Sequence, residues 1–210
     1  ISQFLENNSH LVFDAGNCAV ASAHYLKIPE QCTTTIALGM GGMGYGVAAS
    51  VGIQLARQEN PGTKGVPTIA FCGDGAFLVN GFEIHTAIEL KLPILWFVFN
   101  NNQHGMCVSR QRLYFESRQE STQYTTPISI ATIVKGMGLD ESHCHCVSEE
   151  STLLGALKQY FSSSTYQPCV IELNIEDNEI PPFTPFIEEI KRQTREQKIR
   201  SISDSKIRQG

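Results

Sequence analysis

The sequence contains no uninterrupted stretch near the roughly 18 apolar residues that a membrane-spanning helix needs, so no membrane association is expected. Its seven cysteines are odd in number and include no C-x-x-C pair, which points away from a disulfide framework or a paired redox or zinc motif. The one dense cluster, HCHC at 143–146, alternates like a strand. Successive side chains would face opposite sides, so four metal ligands would not converge there. No basic segment leads into an apolar run near Ile1, so no secretory signal is expected in this form of the chain. Repeats and low-complexity tracts are absent. The cysteine pattern leads to the expectation of a cytoplasmic protein with reduced thiols.

What is present suits a globular domain. The 210 residues are 41% hydrophobic, enough for one sizeable core. Charge is uneven: seven of the sixteen Lys and Arg fall in 191–210, against two of the twenty-one acidic residues. The expectation is therefore a domain over 1–190 and a basic tail over 191–210, read as an exposed helix that frays. Nothing else suggests a nucleic-acid groove, and no nucleic-acid partner is expected.

Strand-like and helix-like runs alternate. Strands are predicted at 11–14, 67–72, 93–99, 143–147 and 168–175, and helices at 17–27, 46–58, 128–138 and 148–161, the last capped by Ser148. Asn80 is read as the cap of a helix that carries Ile84, Ala87 and Ile88 on one face. Near-continuous apolar strands in a βαβα order predict an α/β fold with a doubly wound, mostly parallel sheet and helices on both faces. The polar stretch 107–127 reads as a long loop, functional or disordered.

Gly39, Gly41 and Gly44 in LGMGGMGYG (38–46) fit G-x-G-x-x-G. A dinucleotide turn would need the next strand to end in a lone acid for a ribose. That strand instead ends in GDG (73–75), and the following one ends in NNN (100–102). Parallel-sheet ligands sit at the carboxyl ends of strands, so Asp74 and Asn101 arrive at one edge. A carboxylate and an amide oxygen suit Mg²⁺, which completes its octahedron with phosphate and water. Glycines let backbone N–H groups approach a phosphate, helped by the positive end of a following helix. Taken singly, GDG is a tight turn and NNN a polar loop.

Taken together, GDG, 24 intervening residues and NN resemble the thiamine diphosphate motif. NNNQHGM, GGMGYGVAASVG, DAGN and the ending ELNIEDNEIPPF extend the resemblance to the C-terminal cofactor domain of the acetolactate synthase and 2-oxo acid decarboxylase branch, over about residues 10–187. That resemblance implies Mg²⁺ held by Asp74, Asn101 and the Gln103 carbonyl. It implies a diphosphate met at Gly73, Gly75 and Ala76. The Gly41 carbonyl would accept a hydrogen bond from the aminopyrimidine, and the Met43 N–H would meet that ring. The Met43 side chain would wedge between the two rings and hold the cofactor bent. His104, Gly105 and Met106 would lie near the reacting carbon, where His104 either shuttles a proton or lines the wall. Arg110 and Arg112 are open between a substrate carboxylate and solvent, and His85 reads as structural.

In that family an activating glutamate comes from a separate pyrimidine-binding domain, which this sequence does not contain. The chain is thus expected to be half of an active site, either a subunit of a split hetero-oligomeric (heterotetramer-like) enzyme or part of a longer chain. The leading reading is a decarboxylase or carboligase acting on a small 2-oxo acid. The alternatives are an oxidative 2-oxo acid dehydrogenase or oxidoreductase, and a non-catalytic module that kept the fold.

Overall fold

The computed structural model describes residues 1–176, which fall in a compact unit spanning Ile1–Asp177, and Arg192, which falls outside that unit. The expected tail helix of 191–210, the boundary at 190 and the end of the resemblance beyond 176 lie outside the described residues, Arg192 apart. Six strands form one sheet: β1 (His10–Phe13), β2 (Thr33–Ile36), β3 (Thr68–Gly73), β4 (Ile94–Asn100), β5 (Cys144–Val147) and β6 (Cys169–Asn174). They run in the order β2-β1-β3-β4-β6-β5, and every pairing is parallel. The expected fold class is therefore the observed one.

Seven α-helices connect them: α1 (Asn17–Tyr25), α2 (Tyr45–Gln58), α3 (Asp74–Asn80), α4 (Glu83–Glu89), α5 (Gly105–Tyr114), α6 (Ile130–Gly136) and α7 (Glu150–Phe161). Because side chains alternate across a strand, each central strand feeds two cores. Ala70, Cys72, Ile94, Trp96 and Val98 pack with Val47 and Val51 of α2, Ile84 of α4 and Val134 of α6. Ile69, Phe71, Leu95, Phe97 and Ile171 pack with Ala19 of α1 and Leu157 of α7. On this second face Phe13, Phe71 and Phe97 stack across three strands at 5.4 and 5.2 Å. Burial of each such side chain is worth about 1.5–3 kcal/mol. Trp96, the sole tryptophan, is fully buried and donates its Nε1–H to Ser50 Oγ at 3.0 Å.

Three sequence expectations need correction, and one strand carried no sequence signal. Strand β2, TTTI, had no apolar signal because it is an edge strand with its first two residues exposed. Asn80 does not cap α4: it ends α3, and its Nδ2 donates to the Gly44 carbonyl at 3.2 Å. Ser148 is not the cap of α7: Glu149 occupies that place, and the Ser148 hydroxyl accepts from Asn174 Nδ2 at 3.4 Å. The stretch 107–127 is not one loop. Residues 107–114 complete α5, whose only buried residue is Val108, too little apolar periodicity to betray a helix. Residues 122–124 return along 102–104, pairing at Gln103 and Gln123.

The chain leaves β1 toward β2 and then crosses to β3 on the other side of β1. The crevice at the carboxyl ends of β1 and β3 is a topological switch point, the usual ligand position in open α/β sheets.

Candidate functional site at the sheet's carboxyl edge

Three segments meet at this switch point. Asp14, just past β1 and 4% exposed, holds the glycine turn. Its Oδ1 accepts N–H bonds from Ala15 at 2.8 Å and Gly44 at 2.9 Å, and its Oδ2 one from Gly46 at 2.5 Å. Burial pushes the Asp14 carboxyl up, and these N–H groups oppose that shift. The turn is pinned from the other side by Asn80. Gly41 (φ +63°) and Gly44 (φ +88°) both adopt left-handed backbone. The turn stays open to solvent: Met43 is 45% exposed and Met40 is 94% exposed.

At Gly46 a Cβ would lie 3.0 Å from the Asp14 Cα and 2.9 Å from its carboxylate, so only glycine fits there. Gly52, two turns along the same helix, has nothing within 4 Å. Gly52→Ala therefore stabilises the protein by about 0.5–1 kcal/mol through helix propensity. Gly46→Ala destabilises it by about 1–3 kcal/mol through overpacking and loosens the turn. Thermal unfolding of the two variants side by side checks the opposed signs.

Asp74 follows β3 and is 3% exposed. Its Oδ1 accepts from its neighbour Gly75 N–H at 2.7 Å and its Oδ2 from Gln103 N–H at 3.2 Å. Burial raises its pKa, while N–H groups of Gly75, Gln103, Asn101 and Asn102 pull it down. No salt bridge reaches it among the described residues. The structure thus brings Asp74 and Asn101 to one edge, as the strand-end pattern predicts, with Gly75, Ala76 and Gln103 beside them. Gly73 lies beneath them, its Cβ position 3.6 Å from Cys18 Sγ. Asn101 Nδ2 and Asn17 Nδ2 both stand near Gly105, 3.2 and 3.7 Å from its Cβ position. Half-buried Met106 follows in α5. Gly41 and Met43 belong to the same edge through Gly44, whose Cβ position is 3.0 Å from Val79 of α3.

The Asn loop is shaped from behind. Asn100 is 2% exposed and donates to Glu172 Oε1 at 2.6 Å and to the Ile128 carbonyl at 3.0 Å. Its Oδ1 accepts from Asn102 N–H at 3.1 Å. Asn102 sits at φ +55°, and its Oδ1 accepts from Ile128 N–H at 2.8 Å. Asn100 and Asn102 are thus scaffolding, and Asn101 between them is presented to the edge.

Three buried polar atoms here have no partner: Asn17 Oδ1, His104 Nδ1 and the Tyr124 hydroxyl. Buried polar groups are normally satisfied, so such a cluster asks for a polar ligand. Burial, then the charge of Asp74, pushes the Tyr124 hydroxyl up to about 12, which keeps its proton on. Asp14, Asn17 and Tyr124 were not singled out from the sequence. DAGN offered a signal for the first two, as polar residues after a strand. Tyr124 offered none.

The chemistry fits a metal–diphosphate group: a buried carboxylate without a salt bridge among the described residues, an adjacent amide, and the unpartnered His104 Nδ1 and Tyr124 hydroxyl. No group of three His, Cys, Asp or Glu that could hold a metal gathers anywhere among the described residues, this edge included. A separate hollow of about 290 Å³, lined by His143, His145 and Tyr160, opens at the amino ends of β5 and β6, away from Asp74.

Residues 14–173 match the family described as thiamine pyrophosphate enzyme, C-terminal TPP binding domain; thiamine pyrophosphate is thiamine diphosphate. A probable acetolactate synthase large subunit of Methanocaldococcus jannaschii is 24% identical over 85% of the chain and 28% of its own length. The acetolactate synthase isozyme 1 large subunit of Escherichia coli is 30% identical over 67% of the chain and 24% of its own length. The mitochondrial acetolactate synthase catalytic subunit of Saccharomyces cerevisiae is 29% identical over 68% of the chain and 19% of its own length. The chain thus spans about a quarter of the relatives that it matches. It belongs to the thiamine pyrophosphate enzymes, as their C-terminal TPP-binding domain, on the acetolactate synthase branch.

Proposed function

We propose that this chain is the diphosphate- and Mg²⁺-binding half of a 2-oxo acid decarboxylase or carboligase. One observation carries the proposal: Asp74 and the Asn101 loop stand together at the carboxyl ends of neighbouring strands β3 and β4, at the switch point, beside an anchored glycine turn. Asp74, Asn101 and the Gln103 carbonyl would hold Mg²⁺, and Gly73, Gly75, Ala76 and Gly105 would line the diphosphate. When bound, thiamine diphosphate supplies the electron sink for decarboxylation. The chain's own part is to hold the cofactor in place. Gly41 gives the aminopyrimidine a bare backbone floor, and the unbranched Met43 side chain stands free to wedge against the rings.

A pyrimidine-binding domain, in a partner subunit or elsewhere in the same polypeptide, would bring the activating glutamate. Leu38, Met40, Val79 and Phe82 support such a cover, because large apolar side chains crowd the surface around the turn and the end of α3. The test is turnover. The intact protein, given thiamine diphosphate and Mg²⁺, is expected to release CO₂ from pyruvate or a related 2-oxo acid, with product analysis separating a carboligated product from a free aldehyde. Tight cofactor binding with no turnover of any 2-oxo acid would contradict the catalytic reading in favour of a non-catalytic module.

A further inference from the structure

We propose that His104 and Tyr124 form a two-pronged clamp, in which the imidazole N–H and the phenol O–H both donate to the terminal phosphoryl group of the bound diphosphate. The inference rests on the thiamine diphosphate reading and deepens it, assigning to the phosphate end two side chains that the metal and glycine motifs leave unused.

The two orphaned atoms converge on one point. A Cβ on Gly75 would stand 2.8 Å from His104 Nδ1 and 3.4 Å from the Tyr124 hydroxyl. Both atoms are buried and neither has a partner. The rings meet edge to face, with centroids 5.3 Å apart and planes at 85°, so each fixes the other. Their backbones are laced together as well: His104 N–H donates to the Thr122 carbonyl at 2.8 Å, and Tyr124 N–H to the Asn102 carbonyl at 3.0 Å. The return of 122–124 along the metal loop is what carries a tyrosine to this spot.

A phosphoryl oxygen is the ligand chemistry that satisfies both atoms at once. It only accepts, and it accepts from two donors readily; hydrogen bonds to such a charged group are the strong ones. Asp74, the nearest carboxylate, is already engaged by the N–H groups of Gly75 and Gln103. The helix that follows Gly73 is only seven residues long, so side-chain donors supply what a long helix would otherwise offer. The family resemblance implies a place for His104 near the reacting carbon; its Nδ1 also stands 2.8 Å from the Cβ position of Gly75, beside the proposed diphosphate site.

The test uses the intact protein at saturating Mg²⁺. Affinities for thiamine diphosphate and for inorganic pyrophosphate are measured by calorimetry, and the bound cofactor by phosphorus NMR, for wild type, Tyr124→Phe, His104→Ala and His104→Asn. Tyr124→Phe removes one oxygen and leaves the ring packing, so it reports on the hydrogen bond rather than on folding. The expected result is a loss of about tenfold in both affinities for Tyr124→Phe and for His104→Ala, the size of one hydrogen bond to a charged group. The terminal phosphorus resonance is expected to move in both, and His104→Asn, which keeps a donor, to recover part of the loss. Wild-type affinities and an unmoved phosphorus spectrum in both Tyr124→Phe and His104→Ala would overturn the clamp while leaving the cofactor reading intact. A wild-type protein that binds neither ligand would overturn both.

Discussion

Asp74→Ala is expected to lose Mg²⁺-dependent binding of thiamine diphosphate by more than the roughly 10–100-fold typical of removing an outer-shell partner, because it deletes the one charged ligand of the proposed site. The loss follows from the surroundings. Asp74 is 3% exposed and has no salt bridge among the described residues, so a divalent cation is the natural counter-charge for it. Asp74→Asn keeps the shape but sets an amide NH₂ against the N–H of Gly75 or Gln103, and it is expected to fail almost as completely. The pH dependence has a definite sign. Burial raises the Asp74 pKa, so the folded state binds its proton more tightly than the unfolded chain does. Without Mg²⁺, the stability linked to this group is full below the unfolded carboxylate pKa and is lost as pH rises through the raised folded value. Cation binding needs the ionised carboxylate, so the gain in melting temperature on adding Mg²⁺ grows over the same window. Melting curves across the acidic range, with and without Mg²⁺, check both trends, and in Asp74→Ala the Mg²⁺-dependent gain is expected to vanish. Asp14, whose pKa is raised by the same cause, keeps part of the Mg²⁺-independent slope in that variant.

Glu172→Leu is the second large effect, and it acts from behind the site. Glu172 is a carboxylate in a core strand, 1% exposed. Its Oε1 accepts from Asn100 Nδ2 at 2.6 Å and its Oε2 from Ala131 N–H, in the first turn of α6, at 2.8 Å. Leucine would strand both donors in the interior, at about 1–3 kcal/mol each. The expected cost is thus about 3 kcal/mol in urea unfolding, a large share of the stability of an ordinary domain. The damage also reaches the Asn loop, because Asn100 orders Asn102 and both tie to Ile128. The folded fraction of Glu172→Leu should therefore bind Mg²⁺ and cofactor more weakly, although Glu172 touches neither. Glu172→Gln keeps the size and one acceptor oxygen, and it should fall between the two. An unchanged unfolding midpoint in Glu172→Leu would show that the network does not hold the loop.

The sequence disclosed most where one physical signal dominated. The buried strands β3, β4 and β6 were legible as apolar runs because a parallel sheet covered on both faces leaves their side chains no polar side. Asp74 and the Asn loop were legible as neighbours because both follow apolar strands at the carboxyl edge of a parallel sheet. Strand β2 was not, since a polar edge strand is held by backbone pairing to β1, which leaves no mark in TTTI. Helix α5 was hidden for the opposite reason: it buries Val108 alone. Asn80 and Ser148 carry good capping side chains, but tertiary partners claimed them, Gly44 in one case and Asn174 in the other. Tyr124 was the deepest omission. Its place at the site depends on residues 122–124 folding back onto 102–104, a long-range pairing that no local pattern announces.

The central claim is a metal-dependent cofactor half-site that a second domain completes. Native mass spectrometry of this chain, alone and in its intact protein, with and without thiamine diphosphate and Mg²⁺, tests it most directly. The account predicts a pyrimidine-binding domain in the assembly and one cofactor with one Mg²⁺ per chain, retained only when both are supplied and lost in Asp74→Ala. Absence of any bound cofactor at millimolar Mg²⁺, in the intact protein as well as in the chain alone, would contradict it.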